Sequence, residues 1–339
     1  MKTRRYEPPD VSPPQTRPAD PGLAPKVQQV TVDERGAGQR LDNFLGRILK
    51  DVPKAHIFRV IRKGEVRING KRARPEARLQ ANDIVRVPPV RLGEQAPPRR
   101  APGALVESVT AAIVHEDAQL LVIDKPAGVA VHGGSGVSFG VIEALRAARP
   151  HEDLELAHRL DRDTSGLLLV ARKPAALRTL HALLREGKVE KKYLALVKGK
   201  WELGKKRIDV PLRTDIRVGG ERTVKAHASG KEAVSVFRPV QFFGKKASLV
   251  EVGLETGRTH QIRVHAAHAG YPLAGDEKYG DAEFNQRMQG LGLERMFLHA
   301  HQVSFTWPET GVEFSASAPL PAELARVIDA LADRKRGGS

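Results

Sequence analysis

The hydrophobic positions of this chain change period several times, and each change marks an expected element. Leu41, Phe44, Leu45, Ile48 and Leu49 recur at helical spacing. Val52-Pro53 interrupts the run, and a second helix is expected from Lys54, with Ile57, Val60 and Ile61 on one face. A strand over 66–68, the turn pair Asn69-Gly70 and a strand over 84–87 follow. Short apolar runs then predict strands around 119–123, across Leu154 and Leu156, over 167–170, 191–197, 247–254 and 297–305. Helical spacing returns over 141–147, over 175–184 and in the terminal LPAELARVIDALADRK. There Pro321 lies near the first turn, and Leu324, Val327, Ile328 and Leu331 face inward. Residues 199–245 are rich in charge and turns, with several short strands and no evident chemistry. No fixed-period repeat is present, which excludes solenoids and propellers.

This pattern divides the chain. Residues 1–28 are rich in proline and basic residues and read as a disordered tail. Residues 39–88 read as a small compact module, 89–107 as a Pro-rich basic linker, 108–332 as a large domain and 333–339 as a frayed end. With 339 residues there is room for two cores. Lys and Arg number 56 against 40 Asp and Glu, a formal charge of +16, so the surface favours a polyanion as partner. The small module concentrates this excess: 12 basic residues against 4 acidic between Arg40 and Arg78. Cysteine is absent, which excludes disulfides and thiolate metal sites and fits a reducing cytoplasm, the expected location. No apolar run approaches the roughly 20 residues of a membrane helix. The start, MKTRRYEPPD, has no apolar stretch of the kind a signal peptide needs.

The candidate chemistry centres on HRLDRDTSG, residues 158–166, a polar loop between two core strands. Its Thr, Ser and Asp side chains suit local backbone bonding, and Gly166 supplies a permissive dihedral. Such a loop can hold one carboxylate still at a sheet edge, and Asp161 is the candidate. On its own, an aspartate flanked by arginines is most often a solvated ion pair or a turn former. Tyr193, in KKYLALV, reads by itself as a half-buried strand tyrosine. His260, His265, His268 and Asp276 do not have the spacing of a recognised metal set, and no metal is expected. No dinucleotide fingerprint or phosphate-binding loop is present.

HRLDRDTSG, together with KPAGVAVH at 125–132 and TGRTHQIRVH followed by GD..YG at 256–280, resembles the RluA-like pseudouridine synthases. Residues 39–88, with RLDNFL…KAHIFRVIRKGEVRINGKR…L..ND.V.V, resemble the S4 RNA-binding domain. The order and spacing of these elements cover about 39–332. The resemblance implies an α+β catalytic domain, a mainly antiparallel mixed sheet with flanking helices and a cleft across it, behind a small N-terminal S4 domain. It implies isomerisation of uridine to pseudouridine without cofactor or metal. Finer details are most similar to members that modify several uridines of 23S rRNA. The expected partner is that rRNA or a large-subunit precursor particle, and the expected state is a monomer.

By resemblance, Asp161 is the catalytic carboxylate, acting at C1′ or on the C2′ proton, and Tyr193 stacks on the target base. Arg263 pairs with the aspartate, with Arg258 as the nearby alternative. Arg159 sits beside the flipped nucleotide, Ile262 and Leu298 wall the uracil, and Arg59, Arg62, Lys63 and Arg67 contact RNA backbone. Two rival readings fit parts of the same sequence: a non-catalytic S4-type ribosome assembly protein, and a glycosylase that uses the same aspartate but releases free uracil.

Overall fold

A computed structural model describes residues 27–34, 36–49, 52, 54–89, 101–134, 137–216 and 222–336. The expected tail over 1–26 and most of the expected linker, 90–100, lie outside the described residues. The chain forms two compact units, Met1–Arg99 and Arg100–Ser339.

In the first unit, strand β1 (Gln28–Thr31) precedes helices α1 (Leu41–Ile48) and α2 (Lys54–Lys63) and strands β2 (Arg67–Ile68), β3 (Lys71–Arg72) and β4 (Ile84–Val87). The strands form an antiparallel sheet in the order β1-β4-β2-β3. Asn69 and Gly70 both hold positive φ, +47° and +76°, which is how this pair closes a two-residue hairpin. Leu41, Phe44 and Leu45 of α1 pack with Ile57, Val60 and Ile61 of α2 and Val85 and Val87 of β4. The strand β1 corrects the expected boundaries: Gln28 belongs to the sheet, not to a tail, and the folded unit starts before residue 39. Four residues with Val30 as the one apolar position carry too little alternation to be read as a strand.

The second unit opens with α3 (Gly103–Ala111), β5 (Ile113–Glu116), β6 (Leu120–Lys125), α4 (Val141–Ala148), β7 (Glu155–Leu156), β8 (Ser165–Ala171), α5 (Pro174–Arg185) and β9 (Glu190–Lys198). It continues with β10 (Lys206–Asp209), β11 (Leu212–Ile216), β12 (Arg222–Ala226), β13 (Val234–Phe243), β14 (Ala247–Leu254), α6 (Gln261–His268), α7 (Ala282–Gln289), β15 (Leu298–Thr306), β16 (Glu313–Ser317) and α8 (Ala322–Arg336). Ten strands form one sheet with the backbone order β10-β13-β14-β9-β15-β8-β6-β5, with β16 on β15 and β7 on β8. Every pairing is antiparallel except β15 with β8, so this is the mixed, mainly antiparallel sheet the resemblance implies.

The sheet is covered on both faces. Leu121, Ile123, Leu168 and Val170 pack toward Val141, Ala144 and Leu145 of α4. Their strand neighbours Leu120, Val122, Leu167 and Leu169 pack toward Ala176, Leu180 and Leu183 of α5. Successive side chains of one strand thus enter two different cores, so these strands read as unbroken apolar runs rather than alternations. Leu324, Val327 and Leu331 of α8 close a third cluster with Leu196, Leu249 and Phe297.

Two further boundaries are corrected, and two helices are added. The linker does not extend to 107, because α3 starts at Gly103 and buries Val109. The C-terminal end is not frayed from 333, because α8 continues to Arg336. Helices α6 and α7 were not read from the sequence. In α6 the buried positions include Gln261 and His265, so polar residues interrupt the apolar period on its inner face.

Gly166 is the point where β8 meets β15. Its φ is +107°, and a Cβ there would run into the Ala300 amide and carbonyl across the parallel pair. Gly166→Ala is expected to cost about 3 kcal/mol or more, through a strained dihedral and displaced backbone. A chemical unfolding curve of the full chain measures it.

Candidate active site

The HRLDRDTSG loop runs from β7 to β8, and interactions from several elements fix it. Lys125, fully buried at the end of β6, donates from Nζ to the carbonyls of Pro126 (2.8 Å), Val129 (2.9 Å) and Arg162 (2.9 Å). The Gly128 amide donates to the same Arg162 carbonyl at 2.9 Å. The KPAG sequence is therefore a brace under the loop. Burial drives the Lys125 amine down to about 7, while its three carbonyl acceptors favour the ammonium.

The far end of the loop is tied to β15 and α8. Arg295 donates to Ser165 Oγ (3.0 Å) and pairs with Glu323 (2.9 Å). With that oxygen accepting from Arg295, the Ser165 hydroxyl donates to His299 Nδ1 (2.9 Å), and His299 Nε2 donates to the Ala318 carbonyl (3.3 Å). His299 is fully buried, and burial lowers its pKa to about 4. At the start of the loop, His158 Nε2 accepts from the Leu169 amide at 3.1 Å, and burial lowers this histidine to about 3.

The TGRTHQIRVH segment forms the opposite wall. Gln261, 2% exposed, accepts from Thr256 Oγ1 (2.7 Å) and the Arg258 amide (3.0 Å). Its amide nitrogen donates to the Val234 carbonyl and Ser235 Oγ, both at 2.9 Å. His265 bridges Ser235 Oγ and the Val210 carbonyl at 3.0 Å each. Residues 199–245, which show no chemistry in the sequence, thus supply the frame that holds this segment.

Between the walls lies a cavity of about 230 Å³ lined by Leu160, Asp161, Thr164, Lys191, Tyr193, Leu254, Ile262, Leu298 and the 257–261 turn, with His158, Arg159 and Arg263. Tyr193, Ile262 and Leu298 are buried and form apolar surface, and the Asp161 carboxylate side chain is 19% exposed beside them. Burial and the nearby Asp161 charge push the Tyr193 phenol upward, so it stays protonated at neutral pH. A second, wider and more polar hollow adjoins this one and shares Arg159, Asp161, His260 and Arg263 with it.

Arg263 is the principal cation near Asp161, with Nη1 3.9 Å from Oδ2. Its stronger bonds go elsewhere. Nε and Nη2 donate to the two oxygens of Asp276 at 2.7 Å each, and its guanidinium lies 5.0 Å from the Tyr279 ring centre. Asp276 is 1% exposed and also accepts from the amides of Lys278 (2.9 Å) and Tyr279 (3.0 Å). Burial opposes its charge, but the Arg263 bonds and these amides hold its carboxyl below the usual range. His260 completes the group, with Nε2 3.9 Å from Asp161 Oδ2 and Nδ1 2.9 Å from the Tyr279 hydroxyl. That hydroxyl also accepts from the Val224 amide at 3.0 Å. Burial pushes the His260 pKa down; Asp161 opposes this and Arg263 adds to it.

Residues 119–268 match the family described as RNA pseudouridylate synthase, and 39–85 match the S4 domain. A Yersinia pestis protein named Ribosomal large subunit pseudouridine synthase C is 51% identical over 311 residues, covering 91% of this chain and 96% of its own. The Pasteurella multocida protein of the same name is 50% identical over 314 residues, with 91% and 95% covered.

The chain belongs to the RNA pseudouridylate synthase family.

The human protein RNA Pseudouridylate Synthase Domain Containing 4 has a similar fold, with TM-score 0.56 at 26% identity over 68% of this chain and 96% of its own. In this pseudouridine synthase the cavity gathers seven expected residues: Asp161, Tyr193, Arg263, Arg159, Arg258, Ile262 and Leu298. Arg258 lines it while donating to the Glu232 carbonyl at 2.9 Å, and Arg159 is exposed at its rim. Arg59, Arg62, Lys63 and Arg67 belong to the other unit, where all four are exposed. Sequence reasoning placed Asp276 in the GD..YG motif and in a candidate metal group but not against Arg263, and it missed the brace of Lys125. The thirteen-residue gap between Arg263 and Asp276 is set by the tertiary path and has no local periodicity to betray it.

Two outcomes follow. Asp276→Asn leaves Arg263 half-buried with half its bonding lost, and is expected to destabilise the chain by about 3 kcal/mol in denaturant titration. His299, about 4 in the fold against an ordinary 6.5, takes up a proton on unfolding between those values. Stability is therefore full above pH 6.5 and falls as the pH drops toward 4, by about 2 kcal/mol from this residue at pH 5. Comparing unfolding midpoints at pH 7 and 5 for wild type and His299→Gln measures that share, and the variant's acid loss should be smaller.

Proposed function

We propose that this enzyme converts uridine to pseudouridine at defined positions of 23S rRNA, free or within a large-subunit precursor, with Asp161 as its catalytic carboxylate. The observation that carries the reading is the joint position of Asp161 and Tyr193 in one cavity, in a chain about half identical to relatives named for the large ribosomal subunit. The reaction breaks N1–C1′, turns the uracil over and joins C5 to C1′, so atoms are conserved and no hydride or phosphate is exchanged. Asp161 acts on the ribose, by attack at C1′ or by removal of the C2′ proton; both courses require an ionised carboxylate at the same place. Arg263, held by Asp276, and His260 Nε2 flank that carboxylate at 3.9 Å each. The Tyr193 ring gives the loose base a stacking surface, and Ile262 and Leu298 give it apolar walls.

A flipped base is taken out of its stack, and Arg159 at the cavity rim is suited to occupy the space it leaves. The exposed Arg59, Arg62, Lys63 and Arg67 of the S4 unit are suited to phosphate contacts, which position an RNA without reading its sequence.

Asp161→Asn keeps the shape of the side chain and removes its charge. Turnover on an rRNA fragment should vanish, while affinity stays within about three-fold because phosphate contacts carry binding. Nucleoside analysis of the product separates the alternatives: pseudouridine is expected from wild type, free uracil would mean a glycosylase, and near-normal pseudouridine from Asp161→Asn would remove the aspartate from its role.

A further inference from the structure

Lys191 lies two residues before Tyr193 on β9, and the two-residue period of a strand puts both side chains on one face. Both line the cavity that holds Asp161. The other cations of this cavity have evident engagements or lie in water: Arg263 bonds Asp276, Arg258 bonds the Glu232 carbonyl, and Arg159 is exposed. Lys191 differs. Among the described residues its amine has no ion pair and no hydrogen-bond partner. The amine is packed near the 257 backbone, 3.7 Å from where a Cβ on Gly257 would stand. Its pKa is lowered, and burial is the cause. An ammonium drawn out of water without an acceptor is unfavourable unless something it binds supplies one.

The reaction supplies an acceptor. When N1–C1′ breaks, the electron pair leaves with the base, and the negative charge spreads over N1 and the two carbonyl oxygens. The charge is removed when C5 attacks C1′, and the proton on C5 is then exchanged for one on N1, so the isomer forms with no net gain or loss of atoms. We infer that Lys191 donates to a carbonyl oxygen of the uracil stacked on Tyr193 and stabilises the negative charge the base carries between cleavage and re-attachment. This rests on the reading of the cavity as the uridine site. It makes Lys191 a catalytic residue whose interaction is strongest when the base is detached, as differential stabilisation requires.

The test uses the full-length chain as Lys191→Met and Lys191→Gln, with an rRNA fragment carrying uridine or 5-fluorouridine at the target. Fluorine makes the departing base a weaker base, so its detachment depends less on an external cation. Single-turnover consumption of uridine should fall about 100-fold or more in Lys191→Met, the usual loss for one charge-stabilising donor. The loss on 5-fluorouridine should be at least ten-fold smaller. Lys191→Gln, a neutral donor, should fall between wild type and Lys191→Met. RNA affinity should stay within about three-fold, and Lys191→Met should melt no lower than wild type because a half-buried charge without a partner has gone.

Equal losses on the two substrates would overturn the inference, and with a lowered melting temperature would make Lys191 a structural residue. Weaker binding with a shallower salt dependence and normal chemistry would overturn it in favour of a phosphate contact. Failure of the uridine-site reading looks different: wild type itself would form no pseudouridine.

Discussion

The bidentate bond between Arg263 and Asp276 is the constraint on which the site depends. A guanidinium and a carboxylate are both withdrawn from water here, and only a pairing that satisfies the donors and lone pairs of each offsets that cost. Two bonds of 2.7 Å to the arginine and two backbone amides complete the carboxylate. The pair fixes the guanidinium plane against the Tyr279 ring and leaves Nη1 facing Asp161. Because Asp276 takes the short bonds, Arg263 stands 3.9 Å from Asp161, too far to consume one of its lone pairs.

The same logic extends to the loop that carries Asp161. Its position rests on bonds to its own backbone: Lys125 and Gly128 bond to the Arg162 carbonyl, and Ser165 connects through His299 to Ala318. Arg295 brings in Glu323 of the last helix, so a residue more than 150 positions away in sequence helps set the loop. These partners leave the side chains of Arg159 and Asp161 directed to the cavity while the backbone stays fixed. This division suits a site where the substrate base must leave its own stack and enter a prepared space.

Much of this was legible in the sequence, and the gaps have physical causes. The apolar runs of β6, β8, β9, β14 and β15 announced themselves because both faces of the sheet are covered. The cluster of Asp161, Tyr193 and Arg263 was reached through resemblance; neither spacing nor periodicity brings residues 161, 193 and 263 together. The helix α6 was missed because Gln261 and His265 are buried at positions where a helix normally shows apolar residues, and each is buried against Ser235 of β13. Strand β1 was missed because its order comes from pairing with β4, not from its own composition. Lys191 stands in KKYLALV beside an exposed-looking lysine, and only the cavity distinguishes an amine enclosed with the base from one in solvent.

The basic S4 unit and the cavity with Asp161 suit an RNA substrate, and the proposed one is RNA of the large ribosomal subunit. The most direct measurement is nucleotide-resolution mapping of pseudouridine across 23S rRNA from cells lacking this gene and from the same cells with the gene restored. The expected result is loss of modification at a few defined uridines and its return on complementation. An unchanged pseudouridine map in the deletion strain would contradict the assignment of this rRNA as the substrate.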